Sequence, residues 1–126
     1  MKKIINTNLV PKVISPYSQA IETDGFVFTA GQIPMDLSGK LIEETIEQQT
    51  HQVMKNLMVI LNKAGVGFEN VVKTTMYITS FDNFDEINNE YRKYFLNNYP
   101  VRETVEVKAL PKGANLEISM IAVKKL

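Results

Sequence analysis

The residues best suited to chemistry lie near the C-terminus, between Pro100 and Ser119. Apolar and polar residues alternate along this segment, and the polar positions include Arg102, Thr104 and Glu117. An arginine can hold a carboxylate with two parallel hydrogen bonds, and a glutamate can orient a water molecule or transfer a proton. Together these residues describe a site that binds a small carboxylic acid and adds water to it.

The arrangement of these side chains depends on how the last two strands pair. We predict strands over roughly 102–108 and 115–124 from their alternation. If they form a direct antiparallel pair, Thr104 lies opposite Glu117, and Arg102 is the next residue on the same face. A simpler interpretation remains open: a half-buried sheet with a charged face in water, where such a cross-strand pair stabilises by ~0.2–1 kcal/mol. The spacing alone does not decide between the two.

Other residue types that carry out catalysis are scarce. The chain has no cysteine, which excludes disulfides, thiolate nucleophiles and cysteine-based metal sites. The only histidine, His51, lies outside the apolar stripe of a predicted helix, so we interpret it as solvent-facing. A lone histidine leaves no recognisable triad and no histidine-rich metal site. No glycine-rich phosphate loop precedes a predicted helix. The sequence therefore shows no motif for a metal site or for a phosphate-bearing cofactor.

Length and composition predict one domain, residues 1–126, because 126 residues with 44% hydrophobic content can bury one core. The 14 basic and 14 acidic residues cancel, which leaves no electrostatic footprint for nucleic acid or an anionic membrane. No apolar run approaches the ~20 residues of a membrane helix, and the N-terminus makes a poor signal peptide. We expect a cytoplasmic protein without nucleic-acid or membrane partners.

The chain-wide pattern predicts the element order β-β-β-α-β-α-β-β. The other strands are expected at 4–6, 17–22, 26–30 and about 70–80, and the helices at about 45–64 and 83–97. Thr45 with Gln48 resembles a capping box, and Gly65 suits the position after the helix. Asn83 with Glu86 would cap the second helix.

These elements predict an α+β sandwich: one mostly antiparallel or mixed sheet with two helices on one face. Several strands also carry apolar residues on both parities, such as Val71 with Val72 and Met120 with Ile121. A small domain of this kind has to cover its second sheet face, because a large exposed apolar patch is unusual. We expect oligomerisation to cover it.

Six segments, in order along the chain, resemble the RidA (YjgF) family of reactive-intermediate imine deaminases. They are SPYSQA at 15–20, FTAGQIP at 28–34, INNEY at 87–91, PVRETVEV at 100–107, LPKG at 110–113 and LEI at 116–118. The resemblance spans essentially the whole chain. It implies a chorismate mutase-like fold and a homotrimer with three clefts between subunits, which would bury the second sheet face. It also implies hydrolysis of enamine/imine intermediates such as 2-aminoacrylate and 2-aminocrotonate to 2-keto acids and ammonia, without a metal or organic cofactor.

The resemblance also implies roles for individual residues. Arg102 matches the arginine that clamps the substrate carboxylate, and Glu117 matches the glutamate that positions or activates water. Other matched residues would complete the substrate-binding pocket: Tyr17 packing over the substrate, Gly31 through its backbone N–H, Asn88 as a supporting group, and Thr104 through its carbonyl and side chain.

This chain departs from the family pattern at four positions. Thr104 stands where many members have cysteine, Ala30 where serine is common, Glu103 where a small residue is usual, and Ser119 where a second glutamate is frequent. These changes bear on rate and substrate preference. Ala30, Glu103 and Thr104 also keep a second interpretation open: a non-catalytic trimer that binds 2-keto acids, with a regulatory role. A nuclease activity has been attached to relatives, but the neutral charge argues against it here.

Overall fold

The computed structural model describes all 126 residues and confirms the predicted order of elements. The strands are β1 Lys3–Ile5, β2 Ala20–Thr23, β3 Phe26–Thr29, β4 Val71–Ile78, β5 Val101–Glu106 and β6 Leu116–Val123. The helices are α1 Ile46–Lys63 and α2 Phe84–Tyr91. Neither helix is long and apolar enough to cross a membrane.

The six strands form one mixed sheet in the order β1-β2-β3-β6-β4-β5. All neighbours are antiparallel except β4 and β5, which are parallel. Both helices cover the same face, and the core lies between them and alternate residues of the strands. The predicted α+β class, with two helices on one face of a mixed sheet, is therefore confirmed.

Helix α1 begins as its sequence predicts. The Gln48 N–H donates to the Thr45 hydroxyl and the Thr45 N–H donates to the Gln48 side chain, both at 3.1 Å. This reciprocal pair satisfies two N–H groups that have no partner inside the helix. Gly65 follows the helix with φ of +83°, which a residue with a side chain rarely adopts.

Helix α2 is shorter than predicted. It ends at Tyr91 and continues only as a 3₁₀ turn over Arg92–Tyr94, whereas the apolar periodicity predicted a helix to about 97. The predicted cap by Asn83 and Glu86 is wrong, because Asn83 makes no capping hydrogen bond. Its backbone (φ −108°, ψ 26°) is not in the extended conformation from which a capping side chain reaches the first turn.

The predicted direct pairing of the last two strands is also wrong. Strand β4 lies between β5 and β6, so Thr104 pairs with Met76, and Glu117 pairs with Tyr77. The connection from β4 to β5 contains helix α2, which gives the chain the length it needs to return and pair in parallel. The antiparallel edge of β4 is then taken by β6.

The sheet face opposite the helices, called here the open face, leaves several apolar side chains exposed. Phe26 and Phe28 on β3 are 42% and 41% exposed, and Val101 and Val105 on β5 are 67% and 46% exposed. In an isolated domain, the alternation of these valines with polar residues would suggest that they face the core. They instead lie on the open face. Exposed apolar side chains in this number mark a surface suited to contact with another protein.

Candidate functional site

Arg102 lies at the edge of the sheet, on the side of the helices. Its register partner on β4 is Thr74, which is fully buried. The guanidinium carbon lies 5.0 Å from the ring centre of Tyr91 and 5.6 Å from that of Phe84, both on α2. Such stacking orients an arginine without occupying its N–H donors. Arg102 takes part in none of the four ion pairs of the chain, so its charge is available to a ligand.

Tyr91 anchors this arrangement in the core. Its hydroxyl donates to the Thr74 hydroxyl at 3.0 Å, and both groups are buried. Burial raises the pKa of Tyr91, although the hydrogen bond to Thr74 and the charge of Arg102 oppose this effect. The neutral phenol therefore forms a fixed wall behind the guanidinium group.

Arg102 lines a cavity of about 300 Å³, called here the arginine cavity. This volume is at the lower end for small-molecule pockets. Helix α2 and the turn after it form one wall, and the start of β5 forms the other. The lining residues are Asn88, Tyr91, Arg92, Tyr99, Pro100 and Arg102. The side-chain oxygen of Asn88 is buried without any hydrogen-bond partner, which is uncommon for a polar atom in a folded protein.

Thr104 shares the helix-facing side of β5 with Arg102 but does not line the arginine cavity. Glu103, whose role was unclear from sequence, faces the open side. It forms an ion pair with Lys73 of β4, with 3.0 Å between Nζ and Oε1. A local partner therefore accounts for the charge at this position.

Glu117 lies on the open face of the sheet. The residues on either side of it, Leu116 and Ile118, are fully buried against the core, so its side chain points the other way. It takes part in no ion pair, and burial alone raises the pKa of its carboxyl group. A half-buried carboxylate without a neutralising partner is a common feature of functional sites.

Gly31 is necessary for the position of Glu117. A methyl group on Gly31 would overlap the Glu117 carboxylate, although the backbone of Gly31 is in an ordinary conformation. The N–H groups of Ala30 and Gln32 donate to backbone carbonyls at 2.8 Å, whereas that of Gly31 has no backbone acceptor. Gly31 therefore leaves room for the carboxylate and retains a free donor beside it.

Tyr17 lies neither at the arginine cavity nor beside Glu117. Strand β2 begins at Ala20, not at Tyr17 as predicted, because Ser15–Tyr17 forms a tight turn in which the Tyr17 N–H donates to the Ser15 carbonyl at 2.7 Å. The Tyr17 side chain is 58% exposed. Within one chain it contributes to no cavity described above.

Six predicted site residues thus fall into separate groups. Arg102, Asn88 and Thr104 lie on the helix side at the β5 edge, Gly31 and Glu117 lie on the open face, and Tyr17 lies before β2. The prediction that Arg102, Thr104 and Glu117 share one face of the sheet is wrong, because it assumed that β5 and β6 are neighbours.

His51 is exposed, as predicted, but it is not isolated. Its Nδ1 lies 2.5 Å from the Tyr94 hydroxyl, which donates to Glu90 at 3.2 Å. Burial and the adjacent Glu90 charge raise the pKa of Tyr94 well above its usual range. This cluster joins α1 to the end of α2. No group of three or more His, Cys, Asp or Glu side chains is placed to hold a metal ion.

The comparisons with known proteins agree with one another. Residues 7–124 match the family described as Endoribonuclease L-PSP. The human 2-iminobutanoate/2-iminopropanoate deaminase is 39% identical over 98% of this chain and 91% of its own length. A RutC family protein of Pyrococcus horikoshii is 43% identical over 99% of this chain and 100% of its own length.

Solved structures give the same result. A putative endoribonuclease of Thermotoga maritima superposes with a TM-score of 0.97 at 42% identity, covering all of both chains. TdcF of E. coli, solved with bound serine, superposes with a TM-score of 0.91 at 36% identity, covering 96% of this chain and 98% of its own. The chain belongs to the RidA (YjgF) family.

The raised pKa of Glu117 predicts a pH-dependent effect on stability. Because the folded state binds this proton more tightly than the unfolded state, the associated stability is present at low pH and is lost as pH rises through the folded-state pKa. We expect Glu117→Gln to be more stable than wild type at pH 7, by less than about 1 kcal/mol since the group is partly exposed. Urea unfolding of both proteins measures the difference in their free energies of unfolding.

The higher stability of Glu117→Gln should disappear below about pH 4, where the wild-type carboxyl group is also neutral. Glu106→Gln, at an exposed carboxylate on β5 that forms no ion pair, is the matched control and should show no such change. A Glu117→Gln variant that is less stable than wild type at pH 7 would contradict the prediction.

Proposed function

We propose that this protein is an enzyme that hydrolyses reactive enamine/imine acids, such as 2-aminoacrylate and 2-aminocrotonate, to 2-keto acids and ammonia. Relatives 39% to 42% identical to it are named 2-iminobutanoate/2-iminopropanoate deaminase. The observation that carries the proposal is the unpaired Arg102 in a cavity beside the partnerless oxygen of Asn88. These groups suit a small molecule with a carboxylate and an N–H donor.

The complete site would form between copies of the chain. Arg102 and Glu117 lie on opposite faces of one sheet, so a single copy does not present both to one small molecule. The apolar open face, which carries Glu117, suits contact with a neighbouring subunit. If the β5 edge of one subunit packs against the open face of the next, a ring of three closes with three equivalent clefts. We therefore propose a homotrimer.

Each residue then has a role in hydrolysis. Arg102 holds the carboxylate, and the Asn88 oxygen accepts a hydrogen bond from the imine nitrogen, which places the imine carbon in the cleft. Glu117 from the neighbouring subunit accepts a proton from water. Its raised pKa makes it a stronger base than an ordinary glutamate. The Gly31 N–H donates beside it, Tyr17 packs over the substrate, and the Thr104 carbonyl lines the cleft.

The bonds balance without a co-reactant other than water. The enamine first takes up a proton from the solvent at carbon to become the iminium. The water oxygen bonds to the iminium carbon while Glu117 takes the proton, and Glu117 returns that proton to the nitrogen. The C–N bond then breaks, the hydroxyl proton leaves with ammonia as ammonium, and the carbonyl of the keto acid remains. Since Thr104 replaces the common cysteine, no step uses a thiol.

A binding protein for 2-keto acids is the alternative. The bound serine of TdcF favours it, because that ligand carries a carboxylate and no imine. The arginine cavity would serve both functions. Acceleration of imine hydrolysis distinguishes the two, since a binding protein would hold the keto acid without changing the rate of its release.

We expect Arg102→Ala and Glu117→Gln each to lower the acceleration by roughly 10²–10⁴-fold, because each removes a group that acts on the substrate. The measurement couples a dehydratase acting on serine or threonine to this protein and follows keto acid release. Glu106→Gln is the control. If both variants retain full acceleration, the mechanism is wrong. If the wild type binds keto acid tightly without acceleration, the binding protein is favoured.

Mixed assemblies test whether the site is shared. Arg102→Ala and Glu117→Gln subunits, co-expressed in equal amounts, should regain about a quarter of wild-type activity, because half of the subunits keep the arginine and half of their neighbours keep the glutamate. Each variant alone should remain inactive. A mixture as inactive as its components would mean that the two residues do not act together across subunits.

Gly31→Ala should lower activity at least about tenfold, because the added methyl group displaces the Glu117 carboxylate. The effect on stability should be small, since the displaced group is the flexible end of a side chain. The same substitution in a Glu117→Gln background is the control. There it should cause little further loss, and equal losses in both backgrounds would show that Gly31 acts independently of Glu117.

A further inference from the structure

The arginine cavity contains a second arginine that the family resemblance did not assign. Arg92 lines the same cavity as Arg102, and no acidic residue lines it. Neither arginine takes part in an ion pair. The cavity walls therefore present two positive charges without a counter-charge from the chain.

The spacing of residues on α2 explains why Arg92 has no partner. Side chains three and four positions apart are neighbours on a helix. The positions three and four before Arg92 hold Asn89 and Asn88, which are uncharged. The adjacent Lys93 instead has Glu90 three positions before it, and these two form an ion pair of 2.9 Å. Glu90 thus neutralises Lys93, whereas the neighbouring Arg92 keeps its charge at the cavity.

The two arginines differ in exposure. Arg102 is half-buried beside the rings of Phe84 and Tyr91, whereas Arg92 lines the same cavity but is exposed, so its guanidinium group is the more open to solvent. The remaining walls include Tyr91, Tyr99 and Pro100, which suit a short carbon chain. A ligand with one anionic group at Arg102 and a second at Arg92 would neutralise both guanidinium groups. A monocarboxylate would leave Arg92 without a counter-charge.

We propose that this protein prefers imines derived from dicarboxylic amino acids, with Arg102 holding the carboxylate next to the imine and Arg92 holding the distal carboxylate. Planar guanidinium groups suit carboxylates at both ends. This inference rests on the proposed function: water replaces the imine nitrogen as above, and the product is a 2-oxo dicarboxylate and ammonium. Arg92 is then a specificity-determining residue.

Two probes of equal chain length test the preference. 2-Oxoglutarate and 2-oxopentanoate both have five carbons and differ in the distal carboxylate. Calorimetry measures their dissociation constants with the wild type, Arg92→Gln and Lys93→Gln. In parallel, an amino acid oxidase generates the corresponding imines from glutamate and norvaline, and kcat/KM is measured for each.

We expect the wild type to favour the dicarboxylate, and Arg92→Gln to lower the dicarboxylate-to-monocarboxylate ratio of affinities and of kcat/KM by roughly ten- to hundred-fold, the effect of one charged hydrogen-bonding group. Lys93→Gln should leave both ratios within about twofold of wild type, because Glu90 already pairs with this lysine.

A ratio unchanged in Arg92→Gln, or lowered equally in Lys93→Gln, overturns the inference, and so does a wild type that favours the monocarboxylate. The binding measurement keeps the two proposals separate. If the affinity ratio falls as expected but no imine is hydrolysed, the deaminase proposal fails and the preference for dicarboxylates stands.

Discussion

The position of β4 between β5 and β6 determines on which face of the sheet Arg102, Thr104 and Glu117 lie. Neighbours in register across a sheet point to the same side, so the residues that β4 contacts fix the orientation of both strands. Thr74 and Met76 face the core and place Arg102 and Thr104 on the helix side. Tyr77 faces away from the core and places Glu117 on the open face. The two charged groups are separated by the thickness of the sheet.

Each charged group is supported by its own surroundings. Arg102 stacks on Tyr91, and Tyr91 is fixed in turn by its buried hydrogen bond to Thr74. Such a cation–π contact contributes about 0.5–2 kcal/mol, depending on how much water is excluded. Glu117 instead depends on the missing side chain of Gly31 for its space. Packing against aromatic rings positions Arg102, whereas the absence of a side chain at Gly31 makes room for Glu117.

Local features were predictable from the sequence, and pairing was not. The capping box of Thr45 and Gln48 involves residues three apart, so its pattern is complete within one turn. Alternation along β5 shows which residues share a face but not which strand lies beside them. Alternation of this kind is typical of a half-buried strand, yet its apolar residues Val101 and Val105 lie on the open face. Arg92 was missed because only its four-residue spacing from Asn88 connects it to the cavity.

The incorrect pairing shows what the real topology achieves. If β5 and β6 were direct neighbours, Arg102 and Glu117 would lie close together on one face and would neutralise each other. The arginine would then bind the glutamate in preference to a substrate carboxylate, and the glutamate would be a weaker base, because a nearby positive charge lowers its pKa. With β4 between them, both groups stay unpaired within the chain. A site that uses both groups, as proposed above, therefore requires an interface between two copies of the chain.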